Sequence, residues 1–218
     1  MENFLLLAKM DTTDYVGFTF FVGCMAMMAA SAFFFLSINQ FDKKWRTSIL
    51  VSGLITFIAA VHYYYMRDYW AANGESPTFF RYVDWILTVP LMCVEFYLIL
   101  RVAGATKKLM WTLITASVIM LVTGYWGEGV DMKNAAIWGL ISGIAYFYIV
   151  YLIMFGKAKE LATKAGGNVL KAHNILCKFV LIGWAIYPLG YVFGYLTGGV
   201  DANALNIIYN LADFINKI

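Results

Sequence analysis

Seven apolar stretches, each about as long as a membrane is thick, dominate this sequence. A bilayer core needs about 20 apolar residues per helix, and a helix satisfies all its backbone polar groups within one segment. The stretches occupy residues 15–38, 45–66, 79–100, 109–127, 134–155, 175–197 and 203–218. The breaks between them are charged or turn-like, and the longest is KAKELATKAGGN. We therefore predict an all-α membrane protein with a single domain, 1–218, and seven transmembrane helices.

The charge content also excludes an ordinary soluble domain. Only 13% of the 218 residues are charged and 62% are hydrophobic, whereas soluble domains average about 25% charged residues. A domain of this size leaves much of its surface exposed, so the deficit indicates a lipid surrounding. The sequence has no basic stripe or motif typical of nucleic-acid binding.

The cysteines and the N-terminal residues give no indication of a disulfide, a metal site or a signal peptide. Cys24, Cys93 and Cys177 lie in or beside apolar stretches without paired or metal-like spacing. We expect them to be small buried hydrophobic residues, and we expect no metal site. Residues 1–14 carry charges and no apolar run ahead of a small-residue cleavage site, so we expect no cleavable signal peptide.

The distribution of Lys and Arg predicts the orientation, because cytoplasmic loops are enriched in them. Alternate loops carry Lys43, Lys44, Arg46, Arg101, Lys107, Lys108, Lys157, Lys159, Lys164, Lys171 and Lys178. The opposite side has Lys9, Arg67, Arg81 and Lys133. This bias places the N-terminus outside and the C-terminus in the cytoplasm. The seventh stretch has about 15 residues, or roughly 22 Å of helix, so we expect the natural helix to continue beyond Ile218.

Four ionisable residues fall inside the apolar stretches, with Arg81 at the outer edge of the third. They are Asp84, Glu95, Asp213 and Lys217. Such residues are costly in a membrane and are functional candidates by default. Asp213 and Lys217 are four residues apart and share a helix face. Taken alone, this pair is equally compatible with a structural ion pair.

The third stretch places two carboxylates on one face at different depths. Asp84 and Glu95 are eleven residues apart, which is close to three full turns and about 16 Å along the axis. Arg81 and Thr88 lie on the same stripe. This pattern favours two stations of a proton path over two unrelated buried polar residues. Asp84 is the station nearer the exterior, because this helix runs inwards.

A charged group between the two carboxylates would unite these residues, and a lysine that forms a Schiff base with an aldehyde supplies one. Asp84 and Asp213 would be the counterions of the protonated Schiff base, with strong interactions in a low-dielectric site. If light moves the Schiff-base proton, Asp84 is the nearest acceptor. Return of a proton from Glu95 would make the transfer vectorial. Glu95 must then begin protonated, which apolar surroundings favour.

Three motifs resemble the proteorhodopsin group of microbial rhodopsins. They are RYVDWILTVPLMCVEFYLILR (81–101), GWAIYPLGY (183–191) and LADFINK (211–217). The resemblance covers essentially the whole chain, and the motifs occur in the family's order. It implies that Lys217 carries all-trans retinal as a protonated Schiff base.

The resemblance also implies roles for the buried charges. Asp84 matches the primary counterion and proton acceptor, Glu95 the proton donor, and Asp213 the second counterion. Arg81 matches the arginine beneath the counterions. Asp84, Thr88 and Glu95 together match the triplet associated with outward proton pumps. We therefore predict a light-driven ion transporter and not an enzyme. The alternative is a photosensory rhodopsin, or a receptor without photochemistry.

A further set of residues matches the family's retinal pocket: Trp85, Met92, Trp184, Tyr187, Pro188, Tyr191 and Tyr63. Four of them recur at i, i+3, i+4 and i+7 from position 184, on one helix face, although ordinary aromatic packing gives the same pattern. By the family pattern, Tyr63 and Tyr187 would donate hydrogen bonds to Asp213. Met92 matches the colour-tuning position, where an apolar residue goes with green absorption.

The remaining expectations concern the periphery and the environment. His62 matches a histidine near the counterion that tunes Asp84, although an inert interface histidine is the alternative. Glu128 matches an outer-side glutamate, and we expect a solvated loop acid. The resemblance implies a multi-pass protein of the bacterial inner membrane, with protons as cargo. It also implies a ring of five or six subunits, with His62 at the subunit contact.

Overall fold

The computed structural model describes residues 12–218, and these are helical with no strand among them. We number the helices in chain order. They are α1 Tyr15–Ser37, α2 Arg46–Asn73, α3 Thr78–Leu100, α4 Lys107–Tyr125, α5 Ala135–Met154, α6 Lys157–Ala165, α7 Gly167–Lys178, α8 Ile186–Tyr191 and α9 Ala202–Lys217. The expectation of no signal peptide, and Lys9 in the charge bias, concern residues outside the described part.

The helical stretches agree with the predicted apolar ones. Within the described part, six are long and apolar enough to cross a membrane: Tyr15–Gln40, Arg46–Asn73, Thr78–Ala103, Lys107–Val130, Met132–Ala165 and Gly167–Leu196. The last of these joins α7 and α8 into one span. The shorter α9, with 16 residues, corresponds to the seventh predicted transmembrane helix. The prediction of an all-α, multi-pass membrane protein is confirmed.

One predicted loop is wrong. KAKELATKAGGN was expected to be irregular, but α6 and the start of α7 occupy it. Ala158, Leu161 and Ala162 are buried on one face of α6, because residues three and four apart share a helix face. Gly166 separates α6 from α7, and Gly167 begins α7. Their φ angles are 63° and 48°, a left-handed backbone that glycine adopts without a steric cost.

The bundle closes on itself and buries polar residues within a mainly apolar interior. Consecutive helices from α1 to α5 pack side by side, and α9 packs against α1 and α8. The outward faces carry large apolar side chains such as Phe33, Ile144 and Phe147, which suits a lipid surrounding. Charged residues are buried in the interior. The cysteines at positions 24, 93 and 177 are buried and free, as predicted.

The span formed by α7 and α8 is irregular where it meets the interior. The Trp184 N–H donates to the Phe179 carbonyl at 3.0 Å, five residues back. Pro188 has no N–H to donate to the Trp184 carbonyl, which accepts from Tyr187 at 3.2 Å instead. Each group therefore keeps a partner, as a membrane interior requires, and the backbone turns Trp184 and Tyr187 towards α9.

Candidate functional site

The Lys217 ammonium lies between two carboxylates in the middle of the bundle. Its Nζ donates to Asp84 Oδ2 on α3 and, at 3.1 Å, to Asp213 Oδ2 on α9. Both aspartates are fully buried and Lys217 is 7% exposed. Buried charges are tolerated when they are paired in this way, whereas removal of one partner leaves an uncompensated charge. The structure thus brings together three of the four ionisable residues that the sequence singled out.

The two carboxylates differ in their other partners. Asp213 accepts from Tyr63 Oη at 2.9 Å, from Trp85 Nε1 at 3.2 Å and from Tyr187 Oη. Tyr63 and Tyr187 were predicted to donate there, whereas Trp85 was predicted only as a pocket residue and its hydrogen bond to Asp213 was not. Asp84 Oδ1, in contrast, is buried without a hydrogen-bond partner in the described residues. Hydrogen bonds to a carboxylate favour its charged form, so Asp84 is the carboxylate with free capacity for a proton.

Arg81 is held by amides and forms no ion pair within residues 12–218. Its Nη2 donates to Asn206 Oδ1 at 2.9 Å and to Asn210 Oδ1 at 3.0 Å. Sequence reasoning missed both asparagines. The signal was available, because positions 206, 210, 213 and 217 follow the i, i+4, i+7, i+11 spacing of one helix face. The guanidinium lies one turn before Asp84 on α3.

Thr88 and His62 flank the central cluster without touching its carboxylate oxygens. Thr88 is fully buried and its Oγ1 donates to the backbone carbonyl of Asp84 at 2.9 Å. His62 is half-buried, and its Nδ1 donates to the Ile58 carbonyl of its own helix at 2.9 Å. No hydrogen bond joins His62 to Asp84 in the described part of the chain, so any influence on that carboxylate acts through space.

Glu95 lies on α3, on the other side of Lys217 from Arg81. Its Oε2 accepts from Ser48 Oγ, and its Oε1 accepts from Ser52 Oγ at 3.1 Å. Glu95 is 7% exposed and no cation of residues 12–218 pairs with it. Glu95 is therefore a buried carboxyl group held by two hydroxyls, with no opposite charge paired to it in the described residues. Sequence reasoning missed both serines, although their four-residue spacing places them on one face of α2.

A largely apolar cavity adjoins Lys217. Its lining includes every predicted pocket residue except Tyr63: Trp85, Met92, Trp184, Tyr187, Pro188, Tyr191 and Lys217. Tyr63 instead lies on the side of Asp213 away from this lining. A second cavity is lined by Glu95 together with Met92, Trp184 and Lys217. Lys217 therefore borders the apolar cavity and the Glu95 cavity.

The burial of Glu128 contradicts one expectation from the sequence. This residue was predicted to be a solvated loop acid, but it is 7% exposed and lines the apolar cavity. It belongs to a π-helical turn, Trp126–Val130, that continues α4 inside the bundle. Tyr82 and Tyr195 are side-chain neighbours of its carboxyl group. The GEG sequence suggested a loop, and these tyrosines from other helices are the contacts that it could not reveal.

Comparison with known proteins identifies the family of this chain. Residues 14–218 match the family described as bacteriorhodopsin-like protein. The chain is 46% identical over 213 residues to the green-light absorbing proteorhodopsin of Gamma-proteobacterium EBAC31A08, which covers 96% of this chain and 84% of that protein.

Solved structures give the same result. The crystal structure of the blue light-absorbing proteorhodopsin from Med12 superposes with a TM-score of 0.81 at 43% identity, covering 94% of this chain and 93% of that one. Xanthorhodopsin, described as a light-driven ion pump with dual chromophore, superposes with a TM-score of 0.80 at 29% identity, covering 93% and 87%. The predicted resemblance is confirmed: this chain belongs to the bacteriorhodopsin-like family and is similar to proteorhodopsins over nearly its whole length.

Proposed function

We propose that this protein is a light-driven outward proton pump that carries all-trans retinal on Lys217. The observation that carries the proposal is the position of the Lys217 nitrogen. It contacts Asp84, and it borders a cavity that also contains Glu95. One nitrogen is thus placed between an acceptor and a donor on the same helix. The description of xanthorhodopsin as a light-driven ion pump supports this proposal.

The residues present fit retinal, which is a long apolar aldehyde. The apolar cavity is lined mainly by aromatic and aliphatic side chains, and Lys217 is the amine in its lining. Trp85 and Trp184 would hold the chain of the bound molecule, and Met92 would lie beside it. The small residues Gly139, Ser142 and Gly143 leave room along α5.

The chain's own residues would then direct the proton. When bound, retinal would supply a light-driven change of shape. Lys217 Nζ would be the nitrogen of its covalent linkage. In the dark, Asp84 and Asp213 balance the positive charge on that nitrogen. After illumination the proton moves from Lys217 Nζ to Asp84, whose Oδ1 has no hydrogen-bond partner in the described residues. Asp213 stays charged because three donors hold it.

Glu95 would return a proton to the Lys217 nitrogen from the opposite side. The two residues line the same cavity, so the transfer needs no passage through packed side chains. Ser48 and Ser52 fix the position of the Glu95 carboxyl group. A proton thus leaves on the Asp84 side and is replaced on the Glu95 side, which makes the transfer directional.

The proposed orientation places the Glu95 end in the cytoplasm. Arg101 Nη2 donates to the Lys44 carbonyl at 2.8 Å, so two of the basic connections lie at the same end of the bundle. Basic ends face the cytoplasm. We propose the inner membrane of a bacterium, in keeping with the bacterial relatives. We also propose a ring of five or six subunits, with the half-buried His62 at the contact.

Light-induced acidification tests this function directly. Cells that express the protein with added all-trans retinal, in unbuffered salt solution, should acidify the medium on illumination, because protons leave on the Asp84 side. A protonophore should abolish the change, and cells without retinal are the control. Alkalinisation would contradict the orientation. The absence of any light-dependent pH change would leave the photosensory alternative in its place.

Replacing Glu95 by glutamine should slow the late photocycle, because the amide has no acidic proton to return. We expect the Lys217 nitrogen to regain its proton about 10²-fold more slowly or worse, the size expected when a positioned acid is lost. Flash photolysis of the absorption change measures this rate. Ser31→Ala on α1, a buried hydroxyl that donates to Gly53, is a control for general perturbation. An unchanged rate in Glu95→Gln would remove Glu95 from the donor role.

A further inference from the structure

His173 is a fully buried titratable residue on α7 that the mechanism above does not use. Its Nε2 lies 2.9 Å from the Ile153 carbonyl oxygen of α5. A carbonyl oxygen only accepts, so Nε2 carries the hydrogen and Nδ1 keeps a lone pair. Nδ1 is buried and has no hydrogen-bond partner in the described residues. A buried acceptor without a hydrogen bond destabilises a fold. Such a group is therefore a candidate for a functional role.

One side of His173 faces the wall of the Glu95 cavity. The Phe96 and His173 rings pack edge to face, with centroids 5.7 Å apart. Phe96 follows Glu95 in α3, and both residues line that cavity. Leu176 also lines it, and it is three residues after His173, on the same face of α7. A single aromatic ring therefore separates the imidazole from the cavity of the proposed proton donor.

The other side of His173 leads to the surface. Cys177 Sγ lies 3.3 Å from the imidazole Nε2. Cys177 lines a surface groove together with Lys159 and Lys178, and Lys178 is exposed. The titratable groups that face the imidazole are thus Cys177 from α7 and Lys159 from α6. The neighbours from α3 and α5 are the Phe96 ring and a backbone carbonyl.

We infer that His173 relays protons from this surface groove to Glu95, an inference that rests on the proposed pump. Because Cys177 contacts Nε2, the ring turns about its Cβ–Cγ bond to bring Nδ1 to the groove. Nδ1 binds a proton there, which converts the imidazole to imidazolium. The imidazolium then gives one proton to the carboxylate that Glu95 becomes after it has served Lys217, and the neutral imidazole returns. One proton enters and one leaves, so no other reactant is needed. Histidine is the side chain suited to such exchange near neutral pH.

The test separates proton uptake from the earlier transfer. The full chain with all-trans retinal is placed in lipid nanodiscs, and a pH-sensitive dye reports uptake after a flash. In His173→Phe, which keeps an aromatic ring, we expect uptake to slow at least about tenfold, since a positioned proton carrier is lost. The step from Glu95 to the Lys217 nitrogen should keep its rate. Lys171→Gln removes an exposed charge from the same helix and should leave uptake unchanged.

Free imidazole distinguishes a relay from a packing role. In His173→Ala, added imidazole should restore much of the uptake rate, and an equal concentration of a buffer too large to enter should not. Unchanged uptake in His173→Phe, or no rescue of His173→Ala, would overturn the relay while the pump stands. If the unmodified protein exchanges no protons with the medium after a flash, the proposed function itself fails.

Discussion

Membranes that contain Lys217→Ala should stay colourless after addition of all-trans retinal, whereas those with the unmodified protein should become pink or orange. Lys217 is the amine in the lining of the apolar cavity, and its loss removes the covalent attachment point. Absorption spectroscopy of washed membranes measures the effect. The expected change is a complete loss of the visible band, because noncovalent retinal lacks the charged nitrogen beside Asp84.

Two controls make the colour test decisive. Lys178→Ala removes an exposed lysine that does not line the apolar cavity and should keep full colour. Lys217→Ala also leaves Asp84 and Asp213 buried without their shared cation, which is strongly destabilising. Circular dichroism and gel filtration must therefore show a folded helical protein in the variant. A persisting visible band in folded Lys217→Ala would place the attachment elsewhere.

Asp84→Asn should abolish light-driven acidification and shift the absorption band to longer wavelength. The amide cannot accept the proton from Lys217 Nζ in the way a carboxylate does. The red shift has an electrostatic cause: the Asp84 charge stabilises the dark state, where the positive charge sits on the nearby nitrogen. Removing the negative charge raises the energy of that state relative to the excited one.

Absorption and acidification test two separate roles of Asp84, as counterion and as proton acceptor. Asp131→Asn removes a partly exposed loop acid that accepts a hydrogen bond from Asn134 and should change neither colour nor pumping. A red-shifted Asp84→Asn that still acidifies the medium would show that another group, with Asp213 first among the candidates, takes the proton. An unshifted band would show that Asp84 does not act as counterion to the bound chromophore.

The sequence predicted the parts of this molecule that depend on one helix at a time. The apolar stretches follow from helix length and lipid thickness, and five of the seven agree with the observed helices within two residues. The second helix continues seven residues further, to Asn73, and the sixth span begins eight residues earlier, at Gly167. Asp84, Thr88 and Glu95 follow one stripe of α3, and the structure places this stripe in the interior. Periodicity is a local property, and a regular helix preserves it.

Contacts between helices could not be predicted in this way. Ser48 and Ser52 matter because α2 places them against Glu95, and nothing within WRTSILVSG indicates that partner. The burial of Glu128 depends on tyrosines contributed by distant segments. The helix α6 was missed for another reason: its charges resemble a loop, while its short apolar face is evident only where it packs on the bundle.

The depth separation of the two carboxylates on α3 has an electrical consequence. Glu95 and Asp84 are about 16 Å apart along the helix axis, which is roughly half of a hydrocarbon core about 30 Å thick. A proton that passes from one to the other through Lys217 crosses a comparable share of the transmembrane voltage. Moving a full charge costs about 2.3 kcal/mol per 100 mV, so these internal transfers would carry about half of that work. In a cell with a large membrane potential, the voltage should therefore slow the internal proton transfers through Lys217, as well as proton release and uptake at the two membrane surfaces.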